Sequence, residues 1–177
     1  KDLLFTVNNH LGTVEIQDQI GVTRSLIQNY KFIDETKTGI WGWSYGGYVT
    51  AMTMSKDDNH IFRCGVSVAP VTAWYYYDTI YTERYMGLPT KEDNLDNYIK
   101  GDISQDIRNF RTHKFMLIHG SGDDNVHIQH SLLLAKKLQY ADIDFDEMTY
   151  TDENHSIGNA LPHLYHTMDH FWGKCFR

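Results

Sequence analysis

Three polar positions in this chain each follow an apolar run, and their residue types together suit acyl transfer. Ser44 lies in Gly42-Trp43-Ser44-Tyr45-Gly46, directly after Ile40 and Trp41. Asp123 and Asp124 come just after Phe115-Met116-Leu117-Ile118-His119-Gly120, and His155 comes soon after the run from Phe145 to Tyr150. A serine hydroxyl is a poor nucleophile at neutral pH. It needs an imidazole to take its proton and a carboxylate to orient that imidazole. The chain supplies them in the order serine, acid, histidine, and position alone admits either Asp123 or Asp124 as the acid. The Gly-x-Ser-x-Gly pattern predicts a strand turning sharply into a helix with the serine at the corner. That turn is tight, so Gly42 and Gly46 are expected to be the positions that must lack side chains. The backbone N–H of Tyr45 then falls where a developing oxyanion needs a donor.

Other chemistry-bearing residues compete for attention. His163, His166 and His170 recur at i, i+3 and i+7 beside Asp169, a spacing that could hold zinc. The other face of the same segment already explains a helix there, and neither a metal nor a cofactor is expected. Trp74-Tyr75-Tyr76-Tyr77-Asp78-Thr79-Ile80-Tyr81, with Tyr85 beyond it, is too aromatic for an exposed loop and too irregular for a clean strand. It reads either as core packing or as the wall of a binding hollow. Asn154-His155-Ser156 forms an Asn-x-Ser glycosylation sequon across the candidate histidine, expected to be unused. Cys64 and Cys175, far apart in sequence, fit two buried thiols or one long-range disulfide equally well.

The elements that must position these residues follow from periodicity. Residues 1–12 read as an extended arm and turn. Ile16, Ile20, Ile27 and Tyr30 recur at roughly helical spacing from Val14 onward. A strand at 40–43 leads into a helix ending near Ser55, and a second strand spans Phe62 to Val71. Residues 88–112 read as short helices and loops. A third strand covers Phe115 to Gly120. The next helix carries Ile128, Leu132, Ala135 and Leu138 on one face, and Phe145 to Tyr150 is the fourth strand. Leu164, Met168, Phe171, Trp172 and Cys175 mark a final helix. Strand and helix alternate with short links, so an α/β fold is expected, its mostly parallel sheet covered by helices on both faces. Polar residues beyond the carboxyl ends of such strands form ligand sites. Serine, acid and histidine in that chain order is the α/β-hydrolase arrangement. The 177 residues make about one domain, and the start is neither an initiator methionine nor a signal peptide, so the chain reads as a piece of something longer. Formal net charge is −7 with no long basic run, which argues against a nucleic-acid partner. No apolar stretch approaches the roughly 20 residues that span a bilayer.

Several motifs together resemble the dipeptidyl peptidase branch of the prolyl oligopeptidase family of serine peptidases. They are Gly42-Trp43-Ser44-Tyr45-Gly46-Gly47-Tyr48, Val68-Ala69-Pro70-Val71, Tyr81-Thr82-Glu83-Arg84-Tyr85-Met86-Gly87-Leu88-Pro89, His119-Gly120 and Asp123-Asp124-Asn125-Val126-His127. The likeness runs from about Leu11 to Phe176 and implies that residues 1–177 are the C-terminal part of a catalytic domain. It implies a triad of Ser44, Asp123 and His155, choosing Asp123 over Asp124, with Tyr45 as an oxyanion donor. It also implies a proline-shaped pocket of Tyr45, Val71, Trp74, Tyr77, Tyr81 and Val126, with Asn125 reaching the substrate's P2 carbonyl. A rigid aromatic slot suits a flat, apolar proline ring. The implied reaction releases N-terminal Xaa-Pro or Xaa-Ala dipeptides through an acyl-enzyme on Ser44, with no cofactor. A post-proline endopeptidase and a non-catalytic scaffold of the same family are the alternatives. The resemblance also pairs Cys64 with Cys175, implies an extracellular setting and a homodimer, and ties any membrane attachment to an amino-terminal segment outside this sequence. In the family, early strands of the hydrolase domain, a β-propeller that grips the substrate's amino terminus and a second oxyanion donor all lie upstream. The 177 residues alone are therefore expected to be weakly active or inactive. Ser156 departs from the family pattern, which carries glycine there.

Overall fold

The computed structural model describes residues 3 and 5–177. Among these, four strands form one sheet: β1 (Gly39–Trp43), β2 (Cys64–Val68), β3 (Lys114–Gly120) and β4 (Asp146–Tyr150), in the order β1-β2-β3-β4. All neighbours are parallel, with Trp43 opposite Val68, Val68 opposite Ile118 and Gly120 opposite Tyr150. The chain therefore leaves every strand at the same end of the sheet, and the polar residues that follow the strands collect there. Helices α1 (Val14–Asn29), α2 (Tyr45–Lys56), α3 (Thr79–Met86), α4 (Leu95–Lys100), α5 (Gln129–Tyr140) and α6 (Leu161–Cys175) complete the layers.

Alternation along β3 sends its side chains to two separate cores. Phe115 and Leu117 pack with Met52 and Met54 of α2 and with Leu134 and Leu138 of α5. Met116 and Ile118 pack on the opposite face with Val66 and Val68 of β2 and with Leu164, Met168 and Phe171 of α6. This is the two-sided burial a parallel sheet requires. On the α2 side β2 presents only Gly65 and Ser67. A Cβ on Gly65 would lie 2.8 Å from Met54 Cγ, and Ser67 Oγ donates to the Gly47 carbonyl at 2.6 Å. Small residues here let α2 lie close against the sheet, and α2 starts at the candidate serine.

The disulfide between Cys64 and Cys175 is formed, with the Cα atoms 6.5 Å apart across a separation of 111 residues. It ties the start of β2 to the last residue of α6. No helix among the described residues is long and apolar enough to cross a membrane.

Four local expectations differ from the structure. The second strand is Cys64–Val68 rather than Phe62–Val71, because Ala69 takes a positive φ of 44° and turns the chain out of the sheet. The aromatic stretch is a short 3-10 turn at Trp74–Tyr76 followed by α3, whose N-terminus Asp78 caps by accepting from Tyr81 N–H at 2.9 Å. Residues 5–9 are turns rather than an extended arm, and Lys1, Asp2 and Leu4 lie outside the described residues. The inward face of α5 is His130, Ser131, Leu134, Ala135 and Leu138. Leu132 is 49% exposed, because buried polar partners draw His130 and Ser131 inward and rotate the expected stripe.

Candidate active site

Ser44 links β1 to α2 with φ 60° and ψ −119°. Side-chain-bearing residues rarely occupy such a conformation, and holding one there costs roughly 1–3 kcal/mol. Backbone bonds on both sides enforce it. The Ser44 N–H donates to the Val68 carbonyl at 2.9 Å, and its own carbonyl accepts from Tyr48 N–H at 3.0 Å. A Cβ at Gly42 would lie 2.2 Å from the Gly46 carbonyl oxygen, so glycine is required there. At Gly46 a Cβ would meet nothing within 4 Å, contrary to the sequence expectation. Gly46 supplies the backbone surface against which Gly42 packs. The second steric constraint falls on Gly47, whose Cβ would lie 2.7 Å from the Val68 carbonyl oxygen. Tyr45 opens α2. N–H groups of a first turn have no partner within the helix, and the helix dipole adds positive potential around them.

Asp123 and His155 come together from the loops after β3 and β4. Asp123 is buried, and its Oδ2 meets His155 Nδ1 at 2.7 Å. Its Oδ1 accepts from the N–H groups of Asn125 and Val126, both at 2.9 Å. Burial alone would raise the Asp123 carboxyl. Hydrogen bonds from His119, His155 and the Asn125 N–H outweigh it and hold the carboxyl well below the usual carboxylate range. Asp124 is exposed. A carboxylate at Oδ2 requires the hydrogen on His155 Nδ1, which leaves Nε2 free to accept a proton.

Trp43, which sequence reasoning passed over as a strand residue, joins the histidine loop to the serine corner. Its Nε1–H donates to the His155 carbonyl at 2.9 Å. The Gly122 N–H donates to the Glu153 carbonyl at 3.0 Å, laying the histidine loop against the acid loop. Among the described residues His155 pairs with Asp123, and no hydrogen bond runs from Ser44 Oγ to it. Bonds of that kind often tighten only when substrate is bound.

The predicted pocket residues form one aromatic cluster. Trp74 is fully buried at its centre, with ring centroids 5.8 Å from Tyr45, 6.2 Å from Tyr77 and 5.9 Å from Tyr81. Val71 and Val126 are buried in the same core. Tyr77 Oη donates to Asn125 Oδ1 at 2.7 Å, which fixes that amide and leaves its NH₂ to donate. Glu15, in the first turn of α1, was not foreseen. It accepts from Tyr45 Oη at 2.8 Å and from the N–H groups of Gly12 and Thr13 at 2.5 and 3.1 Å, so α1 steadies the residue after the serine. Burial, reinforced by Glu15, pushes the Tyr45 phenol far above its ordinary range.

The remaining motifs lie apart. His163 Nδ1 meets Tyr150 Oη at 2.9 Å, while His166 and His170 are exposed. Among the described residues no three His, Cys, Asp or Glu side chains gather as a metal site. Asn154 is exposed, and its Oδ1 accepts from Ser156 N–H at 3.0 Å and Oγ–H at 2.7 Å. A surface hollow of about 530 Å³, lined by Arg24, His60 and Arg63 among others, sits near the amino ends of β1 and β2, away from these loops.

Chain order matters here as much as distance. Serine, acid and histidine come after β1, β3 and β4 of one parallel sheet, the connectivity of an α/β-hydrolase. Comparison with known proteins narrows that class. The model of the prolyl oligopeptidase family matches residues 1–177, and the chain belongs to that family. It is 58% identical over 174 residues to venom dipeptidyl peptidase 4 of Vespula vulgaris, covering 98% of this chain and 22% of that protein. It is 47% identical over 175 residues to prolyl endopeptidase FAP of Homo sapiens, covering 98% of this chain and 23% of the relative. The crystal structure of Porphyromonas gingivalis dipeptidyl peptidase 4 superposes with a TM-score of 0.88 at 38% identity, over 99% of this chain and 24% of that one. The chain thus spans less than a quarter of the length of these relatives.

Proposed function

We propose that Ser44, Asp123 and His155 are a catalytic triad, and that the protein carrying this chain is a serine exopeptidase releasing N-terminal Xaa-Pro or Xaa-Ala dipeptides. The observation that carries the reading is the setting of Asp123. It is buried, receives backbone N–H groups on Oδ1, and presents Oδ2 to His155 at 2.7 Å, while Trp43 beside the serine holds the same histidine's carbonyl. His155 Nε2 takes the Ser44 proton as Oγ attacks the carbonyl carbon. Tyr45 N–H donates to the oxyanion, and the protonated imidazole then gives its proton to the departing amine. Water repeats the cycle on the acyl-enzyme. The aromatic cluster around Trp74 receives the P1 ring, and the Asn125 NH₂ donates to the P2 carbonyl. The relatives named dipeptidyl peptidase 4 support the exopeptidase assignment.

The disulfide supports an oxidising, extracellular or secretory setting. A homodimer through elements that include the final helix and low activity of the 177 residues by themselves belong to the same reading. The test is hydrolysis of Xaa-Pro, Xaa-Ala and internal Gly-Pro substrates by the full-length protein, beside Ser44→Ala. The variant is expected to lose at least about 10³-fold in kcat. A variant as active as its parent removes the mechanism. Preference for the internal substrate favours a post-proline endopeptidase, as the relative named prolyl endopeptidase would suggest.

A further inference from the structure

His119 is the last but one residue of β3 and is buried, as is Ser131 on α5. Nothing in the triad chemistry above uses either side chain. Yet His119 Nε2 lies 3.1 Å from Asp123 Oδ2, the same oxygen that meets His155, and 2.7 Å from the Val126 carbonyl oxygen. Its other ring nitrogen, Nδ1, lies 2.6 Å from Ser131 Oγ.

The hydrogen positions follow from the partners. Nε2 faces two oxygens that can only accept, so it carries the ring hydrogen, which the two oxygens share. Nδ1 meets the Ser131 hydroxyl, which can donate or accept and so holds the ring in this orientation in either role. Of the two carboxylate oxygens of Asp123, Oδ1 is fixed by backbone N–H groups. Oδ2 has only the imidazoles of His119 and His155 as its partners among the described residues. His155 belongs to another loop and must be free to gain and lose a proton. His119 is anchored in the sheet.

We propose that His119, held by Ser131 with its Nε2–H toward Oδ2, is a positioning residue for Asp123. It aims Oδ2 at His155 through an N–H donor anchored in the sheet, and the same N–H fixes the Val126 carbonyl behind the aromatic hollow. A donor fixed in the sheet orients the carboxylate whose negative charge must stabilise the imidazolium during attack. The donor therefore serves the step in which charge develops more than it serves substrate binding, and its loss falls on kcat rather than KM.

This inference rests on the triad reading, and the experiment keeps the two apart. The full-length protein is assayed on an Xaa-Pro amide as wild type, His119→Leu, His119→Gln, Ser131→Ala and Ser44→Ala, with a thermal melt of each. His119→Gln retains an N–H donor close to the place of Nε2; His119→Leu has none. Expected results are a fall in kcat of about 10–100-fold for His119→Leu, KM within about twofold, recovery of most of kcat in His119→Gln, and a loss of a few-fold in Ser131→Ala. The proposal is overturned if His119→Leu keeps its kcat. It is equally overturned if kcat, KM and melting temperature all decline together and His119→Gln fares no better. Should His119→Leu fail to fold, a His119→Gln kcat below that of Ser131→Ala overturns the proposal, and one at or above it supports it. Activity retained in Ser44→Ala defeats the triad reading itself, whatever the His119 variants do.

Discussion

At Ser44 the backbone holds φ 60° and ψ −119°, and the neighbouring glycines show how the fold tolerates it. Gly47 meets the Val68 carbonyl and Pro70, whereas Gly46 faces open space. Gly47→Ala should therefore push α2 away from the loop after β2, costing about 1–3 kcal/mol and most of the labelling of Ser44 by a serine-directed phosphonate. Gly46→Ala should stay within about 1 kcal/mol and keep its labelling. Melting curves and labelling of both variants in the full-length protein check the order, and the reverse order would refute the packing argument. The sequence made the serine, the acids and the histidine visible because each breaks an apolar pattern just after a strand. It pointed to the wrong second glycine, because which glycine meets a neighbouring loop depends on tertiary contact. Trp43 and His119 were hidden for a related reason. Both lie inside strands, where a large or polar residue reads as packing until its partner from another loop is known. His119-Gly120 stands among the motifs that carry the resemblance, and His119 is a histidine at the carboxyl end of an otherwise apolar run, but neither signal assigns it a partner.

Among the elements, several were legible: β3, β4 and α6 lie close to where their apolar residues predict them, and α2 starts where the Gly-x-Ser-x-Gly turn predicts it. The helix α3 was not. Its large apolar residues face both the pocket and the solvent, with Ile80 and Tyr85 exposed and Tyr81 part-buried against Trp74, so no single stripe marks it. What located its start in the fold was a cap, Asp78, and not a period. The helix α6 depends on more than its apolar face. The Cys64–Cys175 bond closes a loop of 111 residues, for which chain-entropy arguments give roughly 2–5 kcal/mol. Cys175→Ser should lower the melting temperature by several degrees. The loss should disappear when both wild type and variant are melted under reducing conditions; an unchanged melt under oxidising conditions would show that the bond does little for stability.

The molecule as a whole has a core on each face of its sheet, and buried titratable groups sit where one core meets the site. His130 is the clearest. Its Nδ1 accepts from Thr72 N–H at 3.1 Å, and burial chiefly pushes its imidazole from the ordinary 6.5 down to about 4. In the unfolded chain it takes up a proton near pH 6.5; in the folded protein it refuses one until about pH 4. Between those values the unfolded state binds more protons, so stability falls as pH drops through this window and is unaffected by this group above it. The full effect is about 3 kcal/mol. Denaturant melts of the full-length protein at pH 7 and pH 4.5 should show a larger acid loss for wild type than for His130→Gln. Equal losses would mean that His130 takes up its proton as readily folded as unfolded.

The cross-link between Cys64 and Cys175 also sorts the residues by covalent connectivity. Asp123 and His155 lie inside the closed ring, while Ser44 lies on the arm that leads into it. A single proteolytic cut in the exposed turn at Asp142 opens the ring but leaves one covalent molecule carrying all three groups. A cut at Asp58 or Asn59, also exposed, severs the nucleophile from its acid and base, and only packing would keep them together. The same number of broken peptide bonds thus has opposite consequences on the two sides of Cys64.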